Sequence, residues 1–445
     1  MVFSNKVSES IRANGLDRVL ITKYAKYWQT SGYTGEPKRF YYSEGDITWI
    51  TKNFTMLGYL LGIRPWMTGW NFGGRDPLLS ASLFDLAAKD LGMTDYRCTP
   101  LGSQEDFIKA IKTASKKGKY QITAGTPFLY LVLYRAAYEP GYAAGAIARG
   151  AKLQYGLPSF IGKLIARILV RGINYENLRS VVSNAELGLS YAEATGPHME
   201  KLKACFPKMR FIDGFGSTEC PVQGIQLLGN YDDIAVSLPS IIPEIAKPED
   251  VQRVKKYEPS NGNGAVPLVE AVPWNKWTKG LRGELLITRP GECFPLVRYA
   301  TGDLIEVVDP ARQYKIKLEE NEVEFTLPTI KILGRSVDLV DFEVPDEKGD
   351  YMGGRIYARQ VHDALATVPN VRWWEFYRVK GSPPRIVFLI IPETDVADES
   401  DYRSKITTKL MNLEAFLNVA FSLDLAEIKV TKPAAYRHIE AEIDK

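Results

Sequence analysis

Apolar residues along this chain follow two alternating patterns. Short runs of aliphatic residues predict strands at Val181–Ser183, Phe211–Ile212, Leu285–Ile287 and Arg385–Ile391. Longer segments with helical spacing predict helices at Glu105–Lys117, Phe128–Tyr138 and Tyr191–Cys205. Thr126 and Pro127 supply a capping hydroxyl and a first-turn proline before the second of these helices. Strands that alternate with helices indicate an α/β fold.

Two segments interrupt this alternation. Ile241–Lys279 is rich in proline, glycine, asparagine and charge, and it predicts an irregular surface connection with a weak strand inside and high mobility at Ser260–Gly264. Gly162–Gly172 interleaves basic with aliphatic residues. Such a segment can suit a membrane surface, but the pattern favours an ordinary amphipathic helix packed on the core.

The pattern changes after Gly334. Residues 335–445 form a block of about 110 residues with strand and helix patterns of its own, which is the size of a small independent domain. We therefore expect a large α/β domain of several stacked sheets and helices over residues 1–334 and a small α+β domain over residues 335–445.

Composition and charge fit a large globular protein. The 445 residues are 45% hydrophobic and 24% charged, which is enough apolar material for a core. The 56 basic and 53 acidic residues nearly balance, which argues against a nucleic-acid partner. No apolar run approaches the roughly 20 residues of a membrane helix, and Met1–Asn14 lacks a signal-peptide pattern. We expect no membrane span.

Cysteine and histidine usage limits the metal chemistry. The four cysteines stand alone, without a Cys-x-x-Cys pair, and the chain has three histidines, so no structural zinc site is expected. Isolated cysteines are typical of a reducing cytoplasm, where we expect this protein.

Hydroxyls, glycines and a lysine crowd into the stretch Thr30–Lys38. Glycines let backbone N–H groups turn toward phosphate oxygens, hydroxyls add donors, and Lys38 adds a positive charge. The spacing is not that of the P-loop, and the same cluster also fits a solvated turn. The stretch predicts polyphosphate binding by Ser31, Gly32, Tyr33, Thr34, Gly35 and Lys38.

Three further segments follow in order, namely Asp213–Glu219, Arg298–Leu304 and Gly334-Arg335. Alone, the first also fits the start of a capped helix and the second a turn between strands. Together the series resembles the adenylate-forming superfamily of acyl-CoA synthetases, peptide-synthetase adenylation domains and luciferases. Smaller matches point to phenylacetate-CoA ligase, and they lie at Thr126–Tyr130, Asn184–Glu186, Arg282–Thr288 and Phe294–Tyr299.

The resemblance, which spans residue 25 or so to the C-terminus, implies a site for ATP and Mg²⁺. Glu219 would bind the metal, Thr218 would reach the α-phosphate, and Phe215 would pack on adenine. Asp303 would accept hydrogen bonds from the ribose hydroxyls, and Arg335 would contact ribose or phosphate. The other nucleotide contacts implied are the Thr30–Lys38 loop, Ala185, Glu186, Gly214, Gly216 and Ser217.

For the acid, the resemblance implies contacts from Phe128, Tyr130 and Asn184. Aromatic lining would suit an aryl or arylacetic acid, although Phe128 fits a core position equally well. The small C-terminal domain would act as a lid that rotates just after Gly334-Arg335.

The chain departs from the family pattern in three places. Only about 30 residues precede the phosphate loop, so part of the usual domain would be missing or supplied by a partner chain or second copy. The usual hinge carboxylate or lysine falls on Val337, with Asp338 next to it. The usual catalytic lysine falls on His438, with Lys432, Arg437 and Lys445 as fallback candidates.

A neutral histidine is a weaker substitute for lysine. With an ordinary pKa of about 6.5, His438 would carry its charge mainly below neutral pH, so we expect adenylation that strengthens toward pH 6. The function expected is an AMP-forming ligase that activates the acid and passes it to CoA. Two alternatives stay open: an adenylyltransferase acting on a cofactor, and a catalytically weakened nucleotide-binding partner protein.

Overall fold

The computed structural model describes residues 4–30, 38–73, 77–99, 104–139, 141–145, 148, 159–192, 195–227, 233–256, 269–336, 340–345, 351–356, 358–379, 385–413, 415–422 and 424–433. The chain divides into two compact units. Unit 1 is Met1–Thr301 with Ile305–Lys331, and unit 2 is Gly302–Leu304 with Ile332–Lys445. The domain boundary between residues 334 and 335 stays a prediction. Val337 and Asp338, where the hinge residue is expected, lie outside the described residues.

Unit 1 alternates helices and strands. Its helices are α1 (Ser4–Asn14), α2 (Leu16–Val19), α3 (Glu44–Leu60), α4 (Leu79–Asp90), α5 (Gln104–Lys117), α6 (Pro127–Tyr138), α7 (Ser159–Leu169), α8 (Tyr175–Asn184), α9 (Met199–Cys205) and α10 (Pro248–Lys255). Its strands are β1 (Lys26–Gln29), β2 (Arg39–Tyr42), β3 (Gly69–Asn71), β4 (Tyr96–Cys98), β5 (Ile122–Gly125), β6 (Leu187–Ser190), β7 (Arg210–Phe215), β8 (Gly224–Ile225), β9 (Ile234–Val236), β10 (Ile242–Ala246), β11 (Ala271–Pro273) and β12 (Arg282–Arg289). Two long strands, β13 (Leu296–Leu318) and β14 (Asn321–Arg335), have residues in both units.

Twelve strands form one sheet in the order β11-β10-β12-β13-β14-β9-β8-β7-β6-β5-β3-β4. The strands from β4 to β7 pair in parallel, and β7 then pairs antiparallel with β8. The strand direction therefore changes at β7. The parallel part carries an aromatic core of Trp70, Phe72, Tyr120, Tyr130, Phe206 and Phe211.

The predicted helices and strands are confirmed in most places. Residues 105–117 and 128–138 lie in α5 and α6, and the Thr126 hydroxyl caps α6 by accepting from the Leu129 amide. The strand predicted at Val181–Ser183 is wrong, because those residues end α8. Asn174 caps that helix, and Leu178, Val181 and Val182 are buried with the spacing of a helix face.

Two further expectations need correction. The helix predicted from Tyr191 begins only at Met199, after a short 3₁₀ turn at Gly196–His198. Ile241–Lys279 is more regular than expected, since it contains β10, α10 and β11. Residues 257–268, with the mobility predicted at Ser260–Gly264, lie outside the described residues.

Helix α7 also differs from its prediction. Ala166 is buried, but Phe160, Leu164 and Ile168 are exposed rather than packed on the core. Within the described residues, no helix is both long and apolar enough to cross a membrane.

Unit 2 combines small sheets with helices. β15 (Val340–Pro345) pairs antiparallel with β16 (Tyr351–Ile356). β17 (Val371–Val379) pairs antiparallel with β18 (Arg385–Pro392), which pairs in parallel with β19 (Ala426–Val430). The helices α11 (Ala358–Ala366), α12 (Glu399–Met411) and α13 (Ala415–Ser422) share a buried apolar core with these strands.

Candidate functional site

The predicted phosphate loop connects the two strands of a hairpin. β1 pairs antiparallel with β2. The Thr30 amide donates to the Lys38 carbonyl, and the Lys38 amide donates to the Thr30 hydroxyl, each at 2.9 Å. These two residues therefore close the base of the loop. The residues between them lie outside the described part, so the roles of Ser31, Gly32, Tyr33, Thr34 and Gly35 stay predictions.

The segment from Gly214 to Glu219 leads out of the sheet where strand direction changes. Gly214 and Phe215 end β7, and the next residues begin the loop that returns as β8. A side chain at Gly216 would collide with the Pro221 carbonyl, so this position requires glycine. The segment is thus the loop of a β-hairpin and not the start of a capped helix.

Ser217 shapes this loop. Its amide donates to the Cys220 carbonyl over 2.9 Å, and the Cys220 amide donates back over 3.1 Å. The side-chain amide of Gln223 donates to the Ser217 hydroxyl over 2.8 Å. In this structure the Ser217 hydroxyl therefore holds the turn, and its predicted contact with the nucleotide stays a prediction.

Two buried tyrosines hold the next two residues. The hydroxyl of Tyr42, on β2, donates to the Thr218 carbonyl. The hydroxyl of Tyr299, on β13, donates to Glu219 Oε1 over 3.0 Å. Glu219 is only 8% exposed, and a buried carboxylate requires such donors. The turn is therefore tied both to the hairpin that carries the loop and to β13.

The surroundings keep Tyr42 protonated. Burial raises the pKa of its hydroxyl well above the ordinary value, and the positive charge of Arg289 opposes this only in part. The Arg289 guanidinium lies 4.7 Å from the centre of the Tyr42 ring, and the centre of the Trp28 ring lies 4.6 Å from the centre of the Tyr42 ring. Tyr42 is consequently a hydrogen-bond donor throughout the physiological pH range.

The donor set suits a metal that is shared with phosphates. Within the part of the chain that the structure describes, no three His, Cys, Asp or Glu side chains form a metal-binding group. Glu219 supplies a single carboxylate, with Tyr299 on one oxygen. Mg²⁺ is commonly held by one or two carboxylates together with phosphate and water oxygens, so Glu219 fits this use.

The predicted Asn184–Glu186 contacts lie at the wrong edge of the sheet. These residues precede β6, and the Arg210 amide at the start of β7 donates to the Glu186 carbonyl over 2.8 Å. Gly214 lies at the opposite end of β7. Because β6 and β7 are parallel, about 13 Å of strand separates the two edges. Asn184, Ala185 and Glu186 are therefore not brought together with the Gly214–Glu219 segment.

Tyr191 and Ala192 occupy the edge where those residues were expected. They follow Ser190, whose carbonyl oxygen lies 3.5 Å from the position a side chain on Gly214 would take. Ala192 has a φ of 69°, which is unusual for a residue with a side chain. A sequence signal for this placement exists, because the Ala-Glu pair of the matched segment Asn184–Glu186 occurs again at residues 192 and 193. Glu193 itself lies outside the described residues.

The structure places Tyr130 in the core instead of in a substrate pocket. Its side chain is fully buried and contacts the rings of Phe72, Phe206 and Phe211. Its hydroxyl donates to the Thr123 carbonyl over 2.9 Å. The side chain of Phe128, two residues earlier, lies outside the described residues.

In unit 2, Asp303 and Arg335 form an ion pair. Arg335 Nε lies 3.1 Å from Asp303 Oδ1. The Asp303 side chain is 8% exposed, whereas that of Arg335 is 53% exposed. Gly302 adopts a φ of 78° within β13, so the Thr-Gly-Asp segment is a bend inside one strand rather than a turn between two. The two residues predicted to bind ribose are therefore neighbours.

The catalytic histidine predicted from sequence is in the last residues of the chain. His438, Arg437 and Lys445 lie outside the described residues, and Lys432 is exposed. The two tyrosines that hold Thr218 and Glu219 were not among the residues predicted from sequence. Tyr299 lies inside a matched segment and could have been found there, whereas Tyr42 has no local sequence signal.

The chain matches no protein-family model and no curated protein sequence. Its structure is similar to 2-hydroxyisobutyryl-CoA ligase in the postadenylation state, with a TM-score of 0.62 and 14% identity over 98% of this chain and 77% of the ligase. It is also similar to the acyl acid amido synthetase GH3.15, with a TM-score of 0.56 and 12% identity over 97% and 79%.

A third similar structure is MatB from Rhodopseudomonas palustris bound to ATP, with a TM-score of 0.53 and 12% identity over 94% of this chain and 66% of MatB. These similarities show a common fold. The chain has the fold of adenylate-forming enzymes, while a specific relation to phenylacetate-CoA ligase stays a prediction.

Proposed function

We propose that this protein is an ATP-dependent, AMP-forming carboxylate ligase. The observation that carries the proposal is the pair of tyrosines that holds Thr218 and Glu219. Through Tyr42, the turn is attached to the hairpin whose loop has the composition of a polyphosphate site. A buried, oriented carboxylate suits the charge neutralisation that phosphoryl chemistry requires.

The reaction has two steps. An oxygen of the acid attacks the α-phosphorus of ATP, the bond to the β-phosphate breaks, and pyrophosphate leaves. The CoA thiol loses its proton to water, its sulfur attacks the acyl carbon, and AMP leaves with the electron pair of the acyl carbon–oxygen bond. Bound Mg²⁺ neutralises phosphate charge. Thr218 reaches the α-phosphate, and the loop donors hold the leaving pyrophosphate.

Asp303 and Arg335 serve the ribose in this proposal. A carboxylate accepts hydrogen bonds from two vicinal hydroxyls at short range. One Asp303 oxygen already contacts Arg335, so the arginine shares this oxygen with the sugar or moves when ATP binds. The buried position of Asp303 strengthens any such hydrogen bond.

The acid that this enzyme activates is not limited to the aryl and arylacetic acids expected from sequence. Of the three acid contacts expected, Tyr130 is in the core and Asn184 is at the opposite edge of the parallel strands. Aryl and arylacetic acids are therefore one class to test beside aliphatic and hydroxy acids. CoA is the acceptor that we propose, and an amine is the alternative suggested by the similarity to an amido synthetase.

His438 takes the place of the usual catalytic lysine in this scheme. A protonated imidazole can bridge the negative charges of the acid and the α-phosphate. We expect the exchange rate to rise from pH 8 to pH 6 in wild type. The rate of His438→Ala should be low and should not change with pH. Lys432→Ala, which changes one of the fallback candidates, should follow wild type if His438 is the residue used. A wild-type rate that does not change with pH, and does not change in His438→Ala, removes His438 from the mechanism.

ATP–pyrophosphate exchange with Mg²⁺ tests the function directly. A panel of aryl, arylacetic, hydroxy and aliphatic acids is screened first, and then CoA or an amine is added while AMP is measured. Exchange that requires one acid class, followed by CoA-dependent AMP release, is the expected result. Glu219→Gln should remove both. A stable AMP adduct on a cofactor would show the adenylyltransferase instead, and ATP stabilisation without turnover would show a nucleotide-binding partner protein.

A further inference from the structure

Helix α7 exposes a row of large apolar side chains. Phe160, Leu164 and Ile168 are spaced four residues apart and are 72%, 58% and 56% exposed. Side chains at this spacing lie above one another on one face of a helix. The inner face is apolar as well, since Ala166 is buried. The helix thus carries more apolar surface than its packing on unit 1 uses.

A second row on the same helix is basic. Lys163 and Arg167 come just before Leu164 and Ile168, and Arg171 continues the row in the turn after the helix. All three side chains are exposed. Within the described part of the chain, none of the three pairs with a carboxylate, and the helix sequence Ser159–Leu169 contains no acidic residue. The surface is therefore apolar and positively charged at once.

We propose that α7 docks the protein on an anionic lipid surface. A helix that combines apolar with Lys and Arg side chains lies in the plane of a bilayer interface, with its apolar row among the acyl chains and its cations at the headgroups. Basic residues along the row match negatively charged headgroups. The proposal concerns adsorption at the surface and involves no spanning segment.

Charge and shape favour a bilayer over a protein groove. The apolar row is a narrow ridge with one side chain per helical turn on a short helix. The basic row runs beside it along the helix. Each Lys or Arg near an anionic leaflet raises binding by roughly fivefold, and the effect decreases with salt because counterions screen it. The three cations together account for roughly a hundredfold preference for anionic over neutral lipid.

Vesicle flotation of the full chain tests the proposal. Vesicles of pure phosphatidylcholine are compared with vesicles containing phosphatidylserine, at low and high salt. We expect wild type to float with the anionic vesicles and not with the neutral ones. Leu164→Glu should lower this binding at least tenfold, whereas Ile21→Glu, which changes an exposed apolar residue elsewhere, should leave it unchanged.

The charge contribution has its own matched pair of variants. Lys163→Gln/Arg167→Gln/Arg171→Gln should lose most of the anionic preference. The control Lys276→Gln/Lys279→Gln/Lys317→Gln removes the same charge from other exposed positions and should retain it. Equal loss in both triple variants would show attraction to net charge alone and would overturn the proposal.

Two other results would also overturn it. One is the absence of binding to anionic vesicles at low salt. The other is self-association of wild type that Leu164→Glu abolishes, without vesicle binding, which would make the ridge a contact between copies. Thermal unfolding of each variant identifies any loss that comes from misfolding, and Leu164→Gln provides a milder replacement if Leu164→Glu unfolds.

Discussion

The hydroxyl of Tyr299 donates a hydrogen bond to the carboxylate of Glu219 over 3.0 Å, and the Tyr299 ring lies edge-on to Phe40 of β2. This contact orients the carboxylate that we assign to Mg²⁺. Replacing Tyr299 with phenylalanine removes the hydroxyl and keeps the ring, so the effect of this hydrogen bond can be tested separately.

Tyr299→Phe should raise the Mg²⁺ concentration needed for half-maximal exchange by roughly 10-fold or more, because residues that orient a metal ligand contribute to metal affinity. The measurement is ATP–pyrophosphate exchange across a Mg²⁺ titration. Tyr314→Phe is the matched control, since Tyr314 is also fully buried and shares a hydroxyl hydrogen bond with Thr329. Equal Mg²⁺ requirements in all three proteins would refute the role of Tyr299.

Asp303→Asn should abolish discrimination between ATP and 2′-deoxy-ATP. If the carboxylate accepts from the ribose 2′-hydroxyl, wild type should have a KM for 2′-deoxy-ATP roughly 10-fold above that for ATP, because a hydrogen bond to a charged group is lost. The variant should have similar KM values for both nucleotides.

Arg335→Ala serves as the comparison for that variant. Arg335 is half-exposed, so loss of its ion pair with Asp303 should change the free energy of unfolding by at most about 1 kcal/mol. The KM for ATP should nevertheless rise. A variant with the wild-type KM would limit Arg335 to a structural contact with Asp303.

Tyr130→Phe should lower stability without changing the KM for the acid. The variant loses a buried hydrogen bond from the hydroxyl to the Thr123 carbonyl, which should cost about 1 to 2 kcal/mol in urea unfolding. The ring and its aromatic contacts remain. The opposite result, with an altered KM and unchanged stability, would return Tyr130 to the substrate pocket.

Cys220 should make the protein less stable at alkaline pH. Burial raises the pKa of its thiol to about 12 from the ordinary 9.0. Below pH 9 the thiol is protonated in both the folded and unfolded chains. Above it, the unfolded chain releases the proton while the folded chain keeps it until about pH 12, so the free energy of unfolding falls as pH rises.

Urea unfolding between about pH 9.5 and 11 measures this effect. Wild type should lose up to about 1.4 kcal/mol per pH unit more than Cys220→Ala. The tyrosines away from residue 220 contribute equally to both proteins, so the difference between the two slopes reports the thiol together with its smaller effect on the pKa of the buried Tyr42 hydroxyl. Parallel slopes would show that Cys220 ionises in the folded chain near its ordinary pKa.

Much of the local structure could be predicted from sequence. Thr126 and Pro127 predict the start of α6, and the aliphatic run at Arg385–Ile391 predicts β18. These predictions succeed because helix capping and strand formation by apolar runs depend on residues only a few positions apart. The pattern at Val181–Ser183 predicts a strand although these residues are helical, because a short apolar run is compatible with a strand and with a helix. Only its burial against the core, at helix spacing, distinguishes them.

The sequence by itself determined the α/β class and the order of the segments that resemble adenylate-forming enzymes, since these depend on local composition and spacing. The tertiary structure decided which residues meet. Parallel pairing of β6 with β7 placed Asn184 and Gly214 at opposite edges, and it placed the Ser190 carbonyl, just before Tyr191, beside Gly214. Folding also brought Tyr42 and Tyr299 to Thr218 and Glu219. Contacts between residues so distant along the chain depend on strand pairing and packing, which no local pattern encodes.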